Sequence, residues 1–297
     1  MTPQDFDYLR ALLKERSGLV LSADKQYLAE SRLLPVARRH NISNLGELVT
    51  RLRDRNAEAL AVAAVEAMTT NESFFFRDKI PFDYFRDVIV PDLIAQHHRR
   101  HRIRIWCTAA AAGQEPYSLA MILRDLADKM PGWRIDILAT DISGDVLEKA
   151  KSGIYSQFEV QRGLPIQQLV KSFNQAGEHW QIKPELRQMV SFRQLNLLQD
   201  FSHLGFFDVV FCRNVLIYFD QPTKTDVLKR LARVIEPTGY LVLGAAETVV
   251  GLTNAFKPHD QHRGLYVPNT SKEPTDAPPK PAAPMAGTVV KFAGARR

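Results

Sequence analysis

The sequence predicts an α/β domain preceded by an all-helical N-terminal segment, and three observations carry that expectation. Residues 3–68 repeat apolar side chains at helical spacing with no strand-like run. From residue 103 onward, short apolar strands alternate with helical stretches. Between the first such strand and its helix the chain reads Ile-Arg-Ile-Trp-Cys-Thr-Ala-Ala-Ala-Ala-Gly-Gln-Glu-Pro-Tyr-Ser (103–118), four alanines and Gly113 before a helix opened by Pro116. Such a turn lets a ligand approach the backbone, and the free N–H groups at the helix start favour an anionic or strongly polar ligand group. It reads as the floor of a nucleotide-like cofactor site; the alternative is a tightly packed turn with no ligand.

The helical segment comes first. Phe6, Leu9, Leu12 and Leu13 make one stripe and Leu45, Leu48 and Leu52 another, while Asn56 is placed to cap a third helix reaching Met68. Residues 24–40 carry Tyr27, Leu28, Leu33, Leu34 and Val36 beside Arg32, Arg38 and Arg39, with Pro35 expected to break or kink the helix. A helical module of this kind suits recognition or a lid; a structural cap with a solvated charged face is the alternative. Residues 69–78, Thr-Thr-Asn-Glu-Ser-Phe-Phe-Phe-Arg-Asp, follow no helix or strand period. Three successive aromatic residues are foreign to an exposed linker, so this loop is expected to be pinned by buried rings and to hold Asn71, Ser73 and Arg77 over the cofactor turn. The alternative is a buried connector whose Arg77 pairs with a carboxylate.

A helix over 82–96 and a basic, histidine-rich connector (97–102) lead to the first strand. Three histidines among three arginines repel a cation, which argues for a solvated connector and no metal site. The first helix continues through 119–129. A second strand (134–140) ends at Asp141, where α/β cofactor sites place an acceptor for ribose hydroxyls, and Ser143 can cap a helix over 144–151. The alternative is that Asp141 serves only the Asp-Ile-Ser cap. Residues 152–192 break the alternation and read as a short antiparallel excursion, Met189-Val-Ser-Phe included. A buried strand over 206–212 then delivers Arg213 and Asn214 to its carboxyl end, where open α/β sheets bind ligands, with Tyr218 at the same rim. A helix over 221–235, a strand over 239–243 and a hairpin ending near Tyr266 complete the domain. After Pro268 the composition turns to Pro, Ala, Lys, Thr and Ser, so 269–297 is expected to be a disordered tail, with 288–292 a possible docking segment.

Composition excludes several classes. The net charge of +6 in 297 residues is spread along the chain and is not a nucleic-acid signature. Cys107 and Cys212 sit in apolar strands without metal or redox spacing, which suits buried thiols in a reducing cytoplasm. No signal peptide or membrane-spanning run is evident, so no membrane insertion is expected.

The turn lacks the Gly-x-Gly-x-x-Gly of a dinucleotide site and the Gly-Lys-Ser/Thr of a P-loop. An adenosine carrying an amino acid tolerates the Ala-rich turn, with Asp141 available for the ribose and Glu115 for an ammonium group. Taken together, Thr70-Asn71-x-Ser73-x-Phe75-Phe76-Arg77, Trp106 through Gly113-Gln114-Glu115-Pro116-Tyr117-Ser118, Ala139-Thr140-Asp141-Ile142, Asn196-Leu197 and Phe211-Cys212-Arg213-Asn214-Val215-x-Ile217-Tyr218-Phe219 resemble the CheR family. These are S-adenosylmethionine-dependent methyltransferases that esterify glutamates of chemotaxis receptors. The resemblance spans roughly residues 3–267 and stops short of the tail.

The resemblance implies a helical receptor-recognition domain (1–70) and a Rossmann-like methyltransferase domain (71–268) with a small antiparallel β-subdomain inserted at about 153–192. It places cofactor contacts on Asn71, Ser73, Arg77, Glu115, Asp141, Asn196, Leu197, Arg213 and Asn214, and sets Arg77 and Tyr218 beside the transferred methyl. S-adenosylhomocysteine would be the product, and no metal is implied. Basic residues of the second helix, here Arg32, Arg38 and Arg39, would face the receptor's acidic methylation helices. A cytoplasmic monomer is expected. Two departures stand out. Ala111 and Ala112 replace hydroxyl residues common before the glycine, with up to about 0.5–1.5 kcal/mol at stake per hydrogen bond lost. The loop around Gly177 is short, which implies independence of a receptor pentapeptide. The alternative from another class is a cofactor-binding docking module with weak or no catalysis.

Overall fold

The computed structural model describes residues 1–54, 56–97 and 100–270. The tail from residue 271, with the expected docking segment 288–292, lies outside these residues, as does the middle of the basic connector.

Helices α1 (Pro3–Ser17), α2 (Gln26–Arg39), α3 (Leu45–Leu52) and α4 (Glu58–Met68) form the N-terminal bundle. Thr2 and Asp5 close a capping box at α1, and Asn44 caps α3 by accepting from the Glu47 N–H. The apolar stripes converge on one core in which Leu9, Leu13, Leu33 and Leu48 are fully buried. Two expectations fail here. Helix α2 continues through Pro35 without a break; the proline removes one backbone bond, and burial of Leu33, Val36 and Ala37 outweighs that loss. Ala57, not Asn56, is the N-cap of α4, with no side-chain cap bond, and Asn56 sits in the preceding turn, where its N–H donates to the Asp54 carboxylate.

The connector leads into α5 (Ile80–Tyr84), a π-helical stretch (Phe85–Ile89) and α6 (Val90–Gln96). Then follow β1 (Arg102–Cys107), α7 (Gln114–Asp125), β2 (Arg134–Asp141), α8 (Gly144–Ser152), β3 (Ile154–Ser156), α9 (Gln157–Gln161), α10 (Ile166–Ser172), β4 (Phe173–Ala176), β5 (His179–Ile182), α11 (Pro184–Arg187), β6 (Val190–Gln194), β7 (Phe207–Cys212), α12 (Gln221–Ala232), β8 (Ile235–Leu243), β9 (Phe256–Pro258) and β10 (Leu265–Pro268).

The main sheet has seven strands in the order β6-β2-β1-β7-β8-β10-β9. Strands β6, β2, β1, β7 and β8 are parallel, while β10 and β9 add antiparallel. The chain runs outward from β1 to β2 and β6, then returns to β7 on the other side of β1, so the direction of winding switches between β1 and β7. Open sheets bind ligands at such a point. Strand β7 is buried throughout, consistent with its nearly continuous apolar run.

The inserted excursion is a three-stranded antiparallel sheet, β3-β5-β4, with α9 and α10 beside it. Val190–Gln194, expected within it, instead pairs parallel with β2 as an edge strand of the main sheet. Its mixed Val-Ser-Phe-Arg-Gln sequence suits an edge, which is why it did not read as a buried parallel strand. Residue 235 likewise opens β8 and is not helical: the β7–β8 register slips between Phe207 and Val209, and the strand recovers at Tyr240.

The bundle is tied to the rim of the sheet. The Val20 N–H donates to the Tyr218 carbonyl (2.9 Å), Asn196 Nδ2 donates to the Arg16 carbonyl (2.6 Å), and Lys14 pairs with Asp220 (2.7 Å). Asp220 also caps α12, and the Lys14 ammonium, followed by the Thr223 contacts, holds its carboxyl down at about 2. A depressed carboxyl stabilises the fold above its unfolded value and loses that contribution as pH falls through the folded one. Asp220→Asn should therefore be less stable than wild type at neutral pH, by under about 1 kcal/mol for so exposed a pair. The deficit should vanish as pH falls from about 3.8 to about 2, as followed by circular dichroism melts.

Candidate active site

A cleft of about 650 Å³, open to solvent at its mouth, lies at the carboxyl ends of β1, β2 and β7 beneath the helical bundle. Its floor is Thr108 and Ala109 after β1, and its walls are Asp141 and Ile142 after β2, Leu195–Leu197 after β6, and Asn214, Val215 and Tyr218 after β7. The bundle and connector close it with Ser17, Leu19, Thr69, Thr70 and Asn71.

The turn after β1 is built by its own backbone. Ala111 (φ +47°) and Gly113 (φ +91°) both take the left-handed region. A Cβ on Gly113 would meet Ala150 Cβ at 3.0 Å and the Tyr155 hydroxyl at 3.1 Å, so glycine is needed for both conformation and space. The Ala110 N–H donates to the Thr140 carbonyl and the Tyr155 hydroxyl to the Ala112 carbonyl (2.8 Å), leaving Ala111 and Ala112 buried.

Asp141 is 6% exposed and does double duty at the end of β2. One carboxylate oxygen accepts from the Ala111 N–H (2.9 Å) and the other from the Ser143 N–H (3.1 Å), while the Ser143 hydroxyl caps α8. The cap and the acceptor role thus coexist, since each oxygen keeps a free lone pair. Burial pushes the Asp141 carboxyl above the usual range, and the Ser143, Ala111 and Ile142 N–H groups pull it back.

Beside the cleft lies a buried ion cluster. Arg213, 4% exposed, donates from Nη1 to Glu115 (2.8 Å) and from Nη2 to Asp78 (2.7 Å) and the Arg77 carbonyl (2.9 Å). Its guanidinium also stacks over Phe82 at 5.5 Å. Burial raises the Glu115 carboxyl, and Arg213 opposes the rise.

Of the residues expected at the site, Asn71, Asp141, Asn196, Leu197, Asn214 and Tyr218 line the cleft. Glu115 and Arg213 instead pair in the buried cluster, and Ser73 is half-buried on the connector. Arg77 points along its own loop, donating to the Glu72 carbonyl (2.9 Å) with its guanidinium 5.8 Å from the Phe74 ring. Rings do pin that loop: Phe75 is fully buried, edge-on to Tyr155 (5.0 Å) and Phe173 (5.6 Å). On α2, Arg38 and Arg39 are exposed. Arg32 differs from the expected free charge, because its guanidinium donates to the Met68 (2.7 Å) and Thr69 (2.9 Å) carbonyls at the end of α4.

Three residues escaped the sequence reading. Thr108, 2% exposed, lines the cleft with no hydrogen-bond partner for Oγ1 among the described residues, lying beside the Cys212 thiol. Glu66, from the bundle, accepts from the Gly144 N–H (2.9 Å) and Gln194 Nε2 (3.0 Å). Glu247 gathers the backbone of the loop after β7. Only Thr108 carried a signal, its place in the turn; Glu66 and Glu247 act across long sequence separations. Among the described residues no group of three or more His, Cys, Asp or Glu could hold a metal ion.

Family models for the CheR methyltransferase all-alpha domain and the CheR methyltransferase SAM binding domain match residues 4–69 and 71–265. Chemotaxis protein methyltransferase Cher2 of Pseudomonas putida is 39% identical over 257 residues, covering 85% of this chain and 93% of that protein. Chemotaxis protein methyltransferase 1 of Pseudomonas aeruginosa is 41% identical with the same coverage, and its Vibrio cholerae namesake is 39% identical over 86% of this chain and 94% of its own length.

Proposed function

The chain belongs to the CheR methyltransferase family, an S-adenosylmethionine-dependent methyltransferase fold, and on that premise we propose that its acceptors are glutamate side-chain carboxylates on the cytoplasmic helices of chemotaxis receptors. The observation that supports this most is the cleft at the sheet's switch point, where Asp141, Asn196, Asn214 and Tyr218 converge under a helical roof.

The residues fit S-adenosylmethionine. The floor of the cleft is small and methyl-lined, the Asp141 carboxylate keeps lone-pair capacity for ribose hydroxyls, and the buried Gln114 Oε1 flanks the turn without a partner of its own among the described residues. When bound, S-adenosylmethionine supplies a sulfonium methyl that passes to a carboxylate oxygen, giving a methyl ester and S-adenosylhomocysteine. The acceptor carboxylate, with an ordinary pKa of about 4.3, is ionised at neutral pH, so the protein need not supply a base. Its task is positioning and the exclusion of water. Asn71, Ser73, Asn196, Leu197 and Asn214 hold the cofactor. Glu115 takes the ammonium group, with Arg213 fixing its orientation. Tyr218 donates to the acceptor oxygen, and Arg77 orients the carboxylate by exchanging its bond to the Glu72 carbonyl for the substrate.

Exposed Arg38 and Arg39 on α2 supply charge complementary to acidic receptor helices, with Arg32 bracing the bundle behind them. The β4–β5 hairpin closes through Gly177 and Glu178 alone, which supports independence of a receptor pentapeptide. A cytoplasmic monomer completes the reading; among the described residues no helix is long and apolar enough to cross a membrane. Arg77→Ala is the test of the assigned chemistry. It should reduce the rate of transfer at least about a hundredfold, as for loss of a charged transition-state contact, while keeping its melting temperature and its calorimetric affinity for S-adenosylhomocysteine within a fewfold. Unchanged transfer would remove Arg77 from the role.

A further inference from the structure

We propose that Glu247 is the positioning residue that shapes the cofactor and acceptor wall after β7. This rests on the methyltransferase reading above for its kinetic part, though not for its binding part. Glu247 follows β8 and is 9% exposed, so its charge must be satisfied within the protein. Its carboxylate accepts five backbone N–H groups. Oε2 takes those of Asn214 (2.8 Å) and Gly244 (2.8 Å), and Oε1 those of Val215 (3.0 Å), Leu216 (2.8 Å) and, more weakly, Ile217 (3.3 Å).

Four of these donors are successive, at the entry to the single helical turn Leu216–Tyr218. Such N–H groups have no partner within so short a turn, and a fixed anion gathers them into a concave nest. The nest dictates where the side chains go. Asn214 is held in the left-handed region (φ +58°) and lines the cleft, as do Val215 and Tyr218. On the far side, a Cβ on Gly244 would lie 2.7 Å from Glu247 Oε2 and 3.0 Å from the Asn214 N–H nitrogen, so the backbone of β8's end is pressed against the same carboxylate. Glu247 is not among the residues that line the cleft. It acts through Asn214 on the cofactor and through Tyr218 on the acceptor, which makes the loop's geometry depend on one charge at the end of a neighbouring strand.

Glu247→Gln tests this, because whichever oxygen becomes NH₂ then faces at least two N–H donors. It should weaken S-adenosylhomocysteine binding at least about tenfold and lower kcat at least about tenfold, as expected for losing several bonds to a charged group. A bystander that merely stabilises the fold would lower the melting temperature without moving both constants. Two double-mutant cycles make the distinction sharp. In an Asn214→Gly background, which keeps the left-handed backbone, Glu247→Gln should cost less than about a third of its single-variant effect on affinity; in a Tyr218→Phe background the same should hold for kcat. Gly244→Ala, which keeps the charge but displaces it, should reproduce the pattern if Glu247→Gln does not fold. Effects that simply multiply in both cycles would overturn the proposal, as would wild-type affinity and kcat in either folded variant. If the wild-type protein methylates no receptor fragment, the function above fails, and the affinity cycle still decides the role of Glu247.

Discussion

Arg213→Met is expected to cost more stability than any other single change near the cleft. It strands Glu115, 7% exposed, without its cation, and releases Asp78 and the Arg77 carbonyl at the same time. Removing one partner of a buried pair costs about 3–5 kcal/mol, because the remaining charge stays desolvated. For a chain of this size that lowers the melting temperature by roughly 10 °C. The sign with pH follows from Glu115. Burial already raises its carboxyl above 4.5 and Arg213 opposes the rise, so without Arg213 the carboxyl climbs further. A protonated Glu115 needs no cation, so the deficit of the variant should shrink as pH falls toward about 4.5 and widen above it. Adding Glu115→Gln to Arg213→Met should restore part of the stability at neutral pH, since no charge is then stranded, without restoring cofactor affinity. Thermal melts across pH on the three variants check this. A neutral-pH deficit under about 1 kcal/mol would mean that the cluster behaves as a surface pair.

Asp141→Ala is expected to have the largest effect on binding. Two hydrogen bonds from ribose hydroxyls to a carboxylate, each worth about 1.5–3 kcal/mol, correspond to at least a hundredfold loss of affinity for S-adenosylhomocysteine. The alanine also leaves the Ala111 and Ser143 N–H groups without their acceptor, loosening the turn itself. Asp141→Asn separates the two contributions. It keeps one carbonyl for the turn and the shape of the wall, while its NH₂ faces one of the two N–H donors, so both its affinity and its melting temperature should fall between those of wild type and the alanine variant. Titration calorimetry on both variants gives the comparison; equal affinities for all three proteins would remove Asp141 from the cofactor site.

The fold class and much of the cleft were legible in the sequence because they depend on local patterns. Apolar periodicity gave the bundle, the alternation from Ile103 gave the α/β domain, and the polar residues just beyond apolar strands, Asp141 and Asn214, stand at the sheet's switch point. What escaped is non-local. Glu247 reaches back to Asn214, and Glu66 reaches forward to Gly144, through bonds that no window of sequence contains. Val190–Gln194 was assigned to the wrong sheet because an edge strand on a parallel sheet carries the mixed polarity of an antiparallel one. Pro35 does not break α2, because propensity yields to burial of its neighbours Leu33 and Val36. Arg32 looked like a free surface charge until its carbonyl partners at the end of α4 came into view.

Transfer of label to a receptor is the most direct test. The purified protein would be incubated with methyl-labelled S-adenosylmethionine and the cytoplasmic fragment of a chemotaxis receptor, and the labelled fragment then treated with mild alkali. Label on the fragment that is released as volatile methanol is the expected result, since only an ester gives up its methyl in this way. Label that survives alkali would point to an amine or another acceptor, and a cofactor-binding protein that leaves every fragment unlabelled would contradict protein-glutamate methylation itself.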